Sequence, residues 1–441
     1  MRIIHFTPGT GNFFCGSCLR DHAAMKRLRS LGHDVVMVPL YLPLVLDEDG
    51  GENVPLAPLF LGGVNMYLQQ KFRLFRRTPA WIDRWFDRRG VLLAAAKRAG
   101  MTRARDLGEL AVSTLRGTQG HQRKELEKLL TWLREQDRPD LVSFSNGLLT
   151  GLAAAVREEF SVPVVCSLQG EDSFLEALPE PYRSESWDLF RRNSEEISRF
   201  IAVSEYYAEV MRAHLRLDPG SIEPVLNGAD LSGFRDSEPG EPPAIGYLAR
   251  MCYGKGLETL VDAYLELRRR RPQRVLLHVA GAMTAVDEPL VAKQRSKLKR
   301  AGLLGDVEFF PNVTHEEKVE FFRRLTVFSV PAHYGEAFGL YVVEALASAV
   351  PVVQPAHGAF PEVLARSGGG LLCRPNDPED LAAKWIQLLD RPEEARNLGR
   401  EGQAGVRAYF TADRMTADLL RVFEEVVRGE QQTSRNVAVA S

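Results

Sequence analysis

The sequence predicts an α/β protein made of two doubly wound parallel sheets, on three observations. Strand-like apolar runs alternate with helical stretches along almost the whole chain, the pattern of parallel strands covered by helices. A segment of Ser, Glu, Gly and Pro at Asp236–Pro243 interrupts the alternation and reads as a linker. A chain of 441 residues normally makes two or three domains. Two domains follow, residues 1–235 and 236–411, with a cleft between them. Ligands of such sheets bind beyond the carboxyl ends of the strands, so motifs there matter most.

The first domain offers strands at Ile3–Phe6, Val35–Leu40, Leu141–Ser145, Val164–Leu168, Phe200–Val203 and Ile222–Leu226. After the first comes a glycine-rich turn, PGTGNFFCGS, whose Gly9, Gly11 and Gly16 allow close backbone approach. A helical insertion at about 66–118 breaks the alternation, and within it Lys71–Arg105 holds eleven Lys or Arg against two Asp, interleaved with Phe72, Phe75, Trp81, Trp85 and Phe86. Such a stretch reads as a solvated face with its aromatics packed inward, or as a surface for an anionic membrane or an acidic substrate. The second domain offers Ala244–Leu248, Val275–Ala280, Val307–Phe310, Val327–Val330, Val350–Val353 and Gly370–Leu372. A terminal helix is expected at Ala412–Arg428, followed by a polar, disordered tail at Gly429–Ser441.

Composition narrows the function. With 45% hydrophobic and 26% charged residues the chain is ordinary globular protein, and a net charge of −2 gives no whole-molecule argument for nucleic acid. No stretch approaches 18 uninterrupted apolar residues, and MRIIHFTPGTG lacks the apolar core of a signal peptide. Cys15, Cys18, Cys166, Cys252 and Cys373 then suggest reduced thiols and a cytoplasmic location.

Chemistry concentrates in HYGEAFGLYVVEALASAVPVV, where Glu336 and Glu344 stand eight positions apart. Gly335, Phe338 and Gly339 mark a turn, and Leu340 to Ala349 has helical character. The first carboxylate falls on the loop entering the helix and the second lies inside it, up to ~12 Å away at ~1.5 Å per residue. Between them the helix start presents N–H groups at its positive end. Carboxylate, anion-binding amides and carboxylate suit a sugar, a diphosphate and a ribose diol in that order. At the head of the second domain, IGYLARMCYGKG ends a strand near Arg250 and opens a helix near Lys255, two cations that make an anion site with the helix dipole.

These residues carry a resemblance. The chain resembles the glycosyltransferase family 4 enzymes of the two-domain GT-B fold, and parts of it are similar to glycogen and starch synthases. Glu336 and Glu344 are similar to the family's E-x7-E motif, and Arg250 and Lys255 match the positions that hold the donor diphosphate. VLNGADLSGF matches N-G-x-D-x-x-x-F at Asn227, Gly228, Asp230 and Phe234. The resemblance implies two Rossmann-like domains, the first for the acceptor, the second for the donor, and a terminal helix that crosses back. It implies transfer with retention from a nucleoside-diphosphate sugar to a glycan, lipid or small-molecule acceptor, with neither metal nor cofactor. Arg250, Lys255 and Glu336 would be catalytic, while Glu344, Gly11, Gly16 and the amides of Phe338, Gly339 and Leu340 would hold the donor. Gln169, Glu171 and Asn146 would face the acceptor or the sugar. Separately from the resemblance, the composition of Lys71–Arg105 makes peripheral membrane contact through it an expectation.

The chain departs from the family at three places. Gln169 stands where a histidine is usual, GAF at Gly358–Phe360 replaces a pair of glycines, and Ala349 replaces a glycine before Val350–Pro351. Competing readings start from Cys15-Gly-Ser-Cys18, which is similar to a thioredoxin-type redox pair at a strand-to-helix turn, although four-ligand zinc would need two more partners. Asp47-Glu-Asp49 is formally D-x-D but sits in a glycine-rich turn. A nucleotide-sugar epimerase or hydrolase, or a sensor with a redox-active CGSC loop, are the alternative functions.

Overall fold

A computed structural model describes residues 1–9, 16–41 and 104–440, together with scattered positions between 55 and 78. Gly11, Cys15, Asp47–Asp49 and most of Lys71–Arg105, with the membrane contact proposed for it, lie outside the described residues.

The chain divides into two units, Met1–Leu226 with Met415–Ser441, and Asn227–Arg414. In the first, β1 (Arg2–Thr7), β2 (Asp34–Pro39), β3 (Leu141–Phe144), β4 (Val164–Leu168), β5 (Arg199–Ala202) and β6 (Ile222–Pro224) form one sheet in the order β2-β1-β3-β4-β5-β6. In the second, β7 (Ala244–Leu248), β8 (Leu276–Gly281), β9 (Val307–Pro311), β10 (Val327–Phe328), β11 (Val352–Pro355) and β12 (Gly370–Cys373) run β12-β11-β10-β7-β8-β9. All pairings are parallel. The reason is in the residues: β3, β4 and β7 are buried at every position, so their continuous apolar runs need helices on both faces.

The division falls ahead of the expected linker. Ala229 donates to Phe410 O at 3.0 Å and Ala412 donates to Ala229 O at 2.9 Å, which ties 227–229 into the second unit. Gly228 permits this, since a Cβ there would lie 2.1 Å from Thr411 O. The N-G-x-D-x-x-x-F match therefore pins the outgoing chain to the returning one.

The last helix, Ala412–Ala440, carries the chain back to the first unit. Met415, Leu419, Val422, Phe423 and Val426 recur at helical spacing and pack with Ile3, Leu28, Val35, Leu141, Ile201 and Val225. The helix does not stop at Arg428: the tail expected to be disordered from Gly429 has helical backbone to Ala440. A lone glycine costs a helix only about 0.5–1 kcal/mol, and no proline follows it.

Ala349 shows what one departure from the family costs. Helix Leu340–Ala347 ends with Ala349 N donating to Leu346 O at 2.9 Å and Val350 N to Ala345 O at 3.1 Å, a Schellman closure. Ala349 holds the left-handed position, at φ 55°, where glycine is the unstrained residue. Ala349→Gly is expected to raise stability by up to about 1 kcal/mol, strain relief offset in part by glycine's larger backbone entropy. Urea unfolding reads the gain; a loss would show that the Ala349 methyl matters more than its backbone angle.

Candidate active site

In the second sheet the strand order reverses between β7 and β10: the chain lays β8 and β9 to one side of β7, then places β10, β11 and β12 on the other. Loops leaving the carboxyl ends of β7 and β10 diverge there, which is where such sheets bind ligands. The turn after β7 carries Arg250 and the short 3-10 turn Tyr253–Lys255, then helix Leu257–Arg270. The loop after β10 carries Glu336 and leads into helix Leu340–Ala347, which carries Glu344. Two distant stretches of sequence are thus carried to the same end of the sheet, and Lys255 and Glu336 meet there.

Glycine lets the loops approach. Gly256 has φ 73°, and a Cβ on it would fall 1.7 Å from Pro331 O; Gly358, at φ 61°, would place one 2.5 Å from Glu336 N. Ala359, the second residue of the GAF departure, donates its amide to Glu336 O at 2.9 Å. His333 and His357 brace the same loops, the first through Thr259 Oγ1 at 2.8 Å and the second through Ala332 O at 2.9 Å. Burial lowers the pKa of both, so near neutral pH they are structural and uncharged.

Every acidic or basic group here has an opposite partner. Lys255 Nζ is paired with Glu336 Oε2, which also accepts from Tyr341 OH at 2.8 Å. The ammonium lies 5.1 Å from the Tyr334 ring centre and 5.7 Å from that of Tyr341. Burial works against the Lys255 charge, but the Glu336 carboxylate outweighs it and holds the pKa above the ordinary lysine value. Arg250, half exposed at 51%, sets Nε and Nη2 against the buried Asp287 carboxylate at 3.1–3.2 Å. Asp287 is itself fixed by Thr284 N at 3.0 Å and Thr284 Oγ1 at 2.7 Å. Glu344 Oε1 accepts from Lys318 Nζ at 2.6 Å.

The pairs differ greatly in weight. An exposed pair such as Arg123–Glu127 contributes about 0–1 kcal/mol, whereas removing one partner of a buried pair costs about 3–5 kcal/mol. Lys255–Glu336, with 19% and 13% of the side chains exposed, belongs with the buried ones. Both glutamates use one oxygen in this way: Glu336 Oε1 and Glu344 Oε2 accept no hydrogen bond from a described residue. Between them, helix Leu340–Ala347 starts at Gly339 (φ 86°) with neither a side-chain cap nor an acidic first turn, so its first amides have no side-chain acceptor. The Phe338 side chain is core, edge-on to Phe410 at 5.7 Å, which leaves only its backbone for a ligand.

The first sheet reverses between β1 and β3. Gln169, at the end of β4, donates its amide to Ser145 O at 2.6 Å and lies 3.4 Å from both Asp21 oxygens. Burial pushes the Asp21 pKa up, but the His5 hydrogen bond and Arg20 together bring it below the usual carboxylate range. Glu171 supports the site and does not line it: it is buried, and Gly147 N (2.9 Å), Gln169 N (2.8 Å), Gly170 N (3.0 Å) and Tyr207 OH (3.0 Å) occupy its oxygens. Burial still raises its pKa against those donors. Asn146 caps the next turn, its Oδ1 accepting from Leu148 N at 3.0 Å. Gly16 begins helix Gly16–Ser30, and the Cys18 thiol is buried against Gly9 O at 3.5 Å.

Sequence reasoning missed Asp287, Lys318, Tyr341, Arg20 and Asp21. Lys318 alone left a signal, because it occupies an inward position of an amphipathic helix with Phe321 and Phe322.

Comparison with known proteins agrees with the fold. The model for Glycosyltransferase Family 4 matches residues 109–232, and that for Glycosyl transferases group 1 matches 233–405. Glycogen synthase of Mycobacterium tuberculosis is 26% identical over 305 residues, 67% of this chain and 71% of that one. Sucrose-phosphate synthase from Thermosynechococcus elongatus superposes with a TM-score of 0.68 at 19% identity, covering 100% of both chains. Anabaena Alr3699/HepE, solved in complex with UDP and glucose, superposes with a TM-score of 0.69 at 15% identity, covering 96% of this chain and 99% of its own.

A folded pKa above the unfolded value means that Lys255 contributes fully below the unfolded value and is lost only as pH climbs through the folded one. The Lys255–Glu336 pair is therefore expected to stay intact up to at least about pH 10. Amine-reactive labelling at about pH 9 with peptide mapping should modify Lys255 far more slowly than the exposed Lys293. Equal rates would mean the pair opens readily.

Proposed function

The chain belongs to the glycosyltransferases of the family 4 type with the two-domain GT-B fold, and from that premise we propose that it transfers a sugar with retention from a nucleoside-diphosphate sugar. The observation that carries this reading is the set of paired charges at the β7/β10 reversal, each glutamate anchored by one oxygen with the other uncommitted. Negative charge develops on the diphosphate as the bond from its oxygen to the sugar breaks. Arg250, Lys255 and the first amides of helix Leu340–Ala347 are fixed groups that stabilise such charge without reorganising, the largest source of rate in many enzymes. Two fixed cations meet that need, so the reading invokes no metal and no cofactor beyond the sugar donor. Glu336 Oε1 suits a sugar hydroxyl and Glu344 Oε2 a ribose hydroxyl. UDP and glucose in the Anabaena structure support a nucleotide-sugar donor. The acceptor, a glycan, lipid or small molecule, belongs to the first unit with Gln169 and Asn146. No helix among the described residues is long and apolar enough to cross a membrane.

A thermal-shift panel of UDP-, ADP- and GDP-sugars tests the donor, since a ligand at about 100 times its Kd adds about 2.7 kcal/mol. One class of donor is expected to raise Tm, and none doing so would refute the reading. NMR of the product should show the anomeric configuration of the donor.

With that donor, Arg250→Gln and Lys255→Met are each expected to lower kcat by ~10²–10³. Lys255→Met alone strands the Glu336 charge, so Lys255→Met/Glu336→Gln serves as the folding control. Full activity in both single variants would remove the diphosphate assignment. Glu344→Gln should weaken nucleotide binding by about 1.5–3 kcal/mol, measured by calorimetry.

A further inference from the structure

Lys318 does not fit the helix that carries it. Helix His315–Arg323 opens with a capping box between Thr314 and Glu317, which sets its register. In that register positions 318, 321 and 322 point inward, and two of them are Phe321 and Phe322. The third is a lysine only 3% exposed, at a depth lysines almost never reach unless paired. Its ammonium lies 5.7 Å from the centre of the Phe234 ring and donates to Glu344 Oε1 at 2.6 Å. Its partner Glu344, 13% exposed, sits on helix Leu340–Ala347 among the buried Val342, Val343, Ala345, Leu346 and Ala347. Two apolar side chains at 318 and 344 would hold the helices together as well or better, because desolvation consumes most of what a buried ion pair returns. Fold stability therefore gives no reason for this pair.

We propose that Lys318 is the positioning residue for the nucleoside end of the site: it fixes one oxygen of Glu344 so that the other accepts a ribose hydroxyl, and so sets a preference for ribonucleotides over deoxyribonucleotides. This rests on the reading of Glu344 as the ribose-binding group. A free carboxylate could rotate, divide its two oxygens among ligand and water, and repel the neighbouring diphosphate. Anchoring Oε1 on the ammonium leaves Oε2 in one place and cancels the repulsion. The carboxylate then acts as an oriented acceptor, the arrangement that rejects an analogue lacking the hydroxyl.

The test is calorimetric titration of the full chain with UDP, ADP and GDP and with their 2′-deoxy and 3′-deoxy forms. The wild type is expected to prefer a ribonucleotide by about tenfold or more over at least one deoxy form. In Lys318→Met that ratio should fall towards one, with the ribonucleotide Kd rising about tenfold and the deoxy Kd moving much less. Lys318→Arg should recover part of the ratio. Lys318→Leu/Glu344→Leu, which leaves no stranded charge, should fold and show no ribose preference, which isolates the Glu344 contribution. If Lys318→Met fails to fold, Lys318→Arg carries the test, a ratio below the wild type's being expected and an unchanged ratio overturning the proposal. Equal losses for ribo and deoxy forms would show a merely structural lysine and overturn the proposal, as would an intact ratio in the folded variants. A wild type that binds none of the three nucleotides overturns both this proposal and the donor reading, whereas binding with an unchanged ratio overturns this proposal alone.

Discussion

The candidate site depends on an ammonium and a carboxylate held together largely out of water at the β7/β10 reversal. Lys255 and Glu336 come from turns 81 positions apart in the chain, and only the adjacency of β7 and β10 brings them together. Neither could keep its charge alone at that depth without a large desolvation cost. The pair also explains the glycines around it. Gly256 and Gly358 admit backbone where any Cβ would collide, so the loops can close around the two charges. Tyr341, on the first turn of the next helix, supplies the additional hydrogen bond that makes such a pair tolerable.

The same arrangement recurs beside it. Arg250 is oriented by Asp287, and Asp287 by Thr284; Glu344 is oriented by Lys318. In each case one partner belongs to a recognisable motif, while the residue that orients it belongs to none. A site that must stabilise charge at the moment of bond breaking gains from groups whose positions are settled beforehand, and the supporting partners do that. In the first unit Asp21, with Arg20 and His5, plays a comparable part behind Gln169.

The departures from the family are absorbed locally. Ala349 accepts a left-handed backbone angle because the Schellman bonds around it close the helix, at a cost within a domain's ordinary margin of ~5–15 kcal/mol. Gln169 is a larger change in chemistry, since its amide is committed to Ser145 O and a glutamine does not titrate as a histidine would. Glu171 illustrates how neighbours in sequence diverge in role: two residues beyond Gln169, its carboxylate is consumed in holding the ends of β3 and β4 together.

Much was legible in the residues themselves. Alternation of apolar runs with helices fixes a doubly wound α/β fold, because a buried parallel strand must be apolar on both faces and its crossover must be a helix. The spacing of Glu336 and Glu344, and of Arg250 and Lys255, picks out the candidate site, because loop and helix start are readable from glycine and apolar periodicity. Local pattern did not show that the helix Ala412–Ala440 continues past Gly429, since a glycine and a polar tail resemble an ending. Nor did it show the partners. Which cation faces which carboxylate depends on strand order and helix register, and these are decided by long-range packing. Asp287 and Asp21 are ordinary surface letters in the sequence, and Lys318 shows there only as a cation at an inward position of an amphipathic helix; burial beside an opposite charge is what makes them part of the site, and burial is a property only the tertiary structure confers.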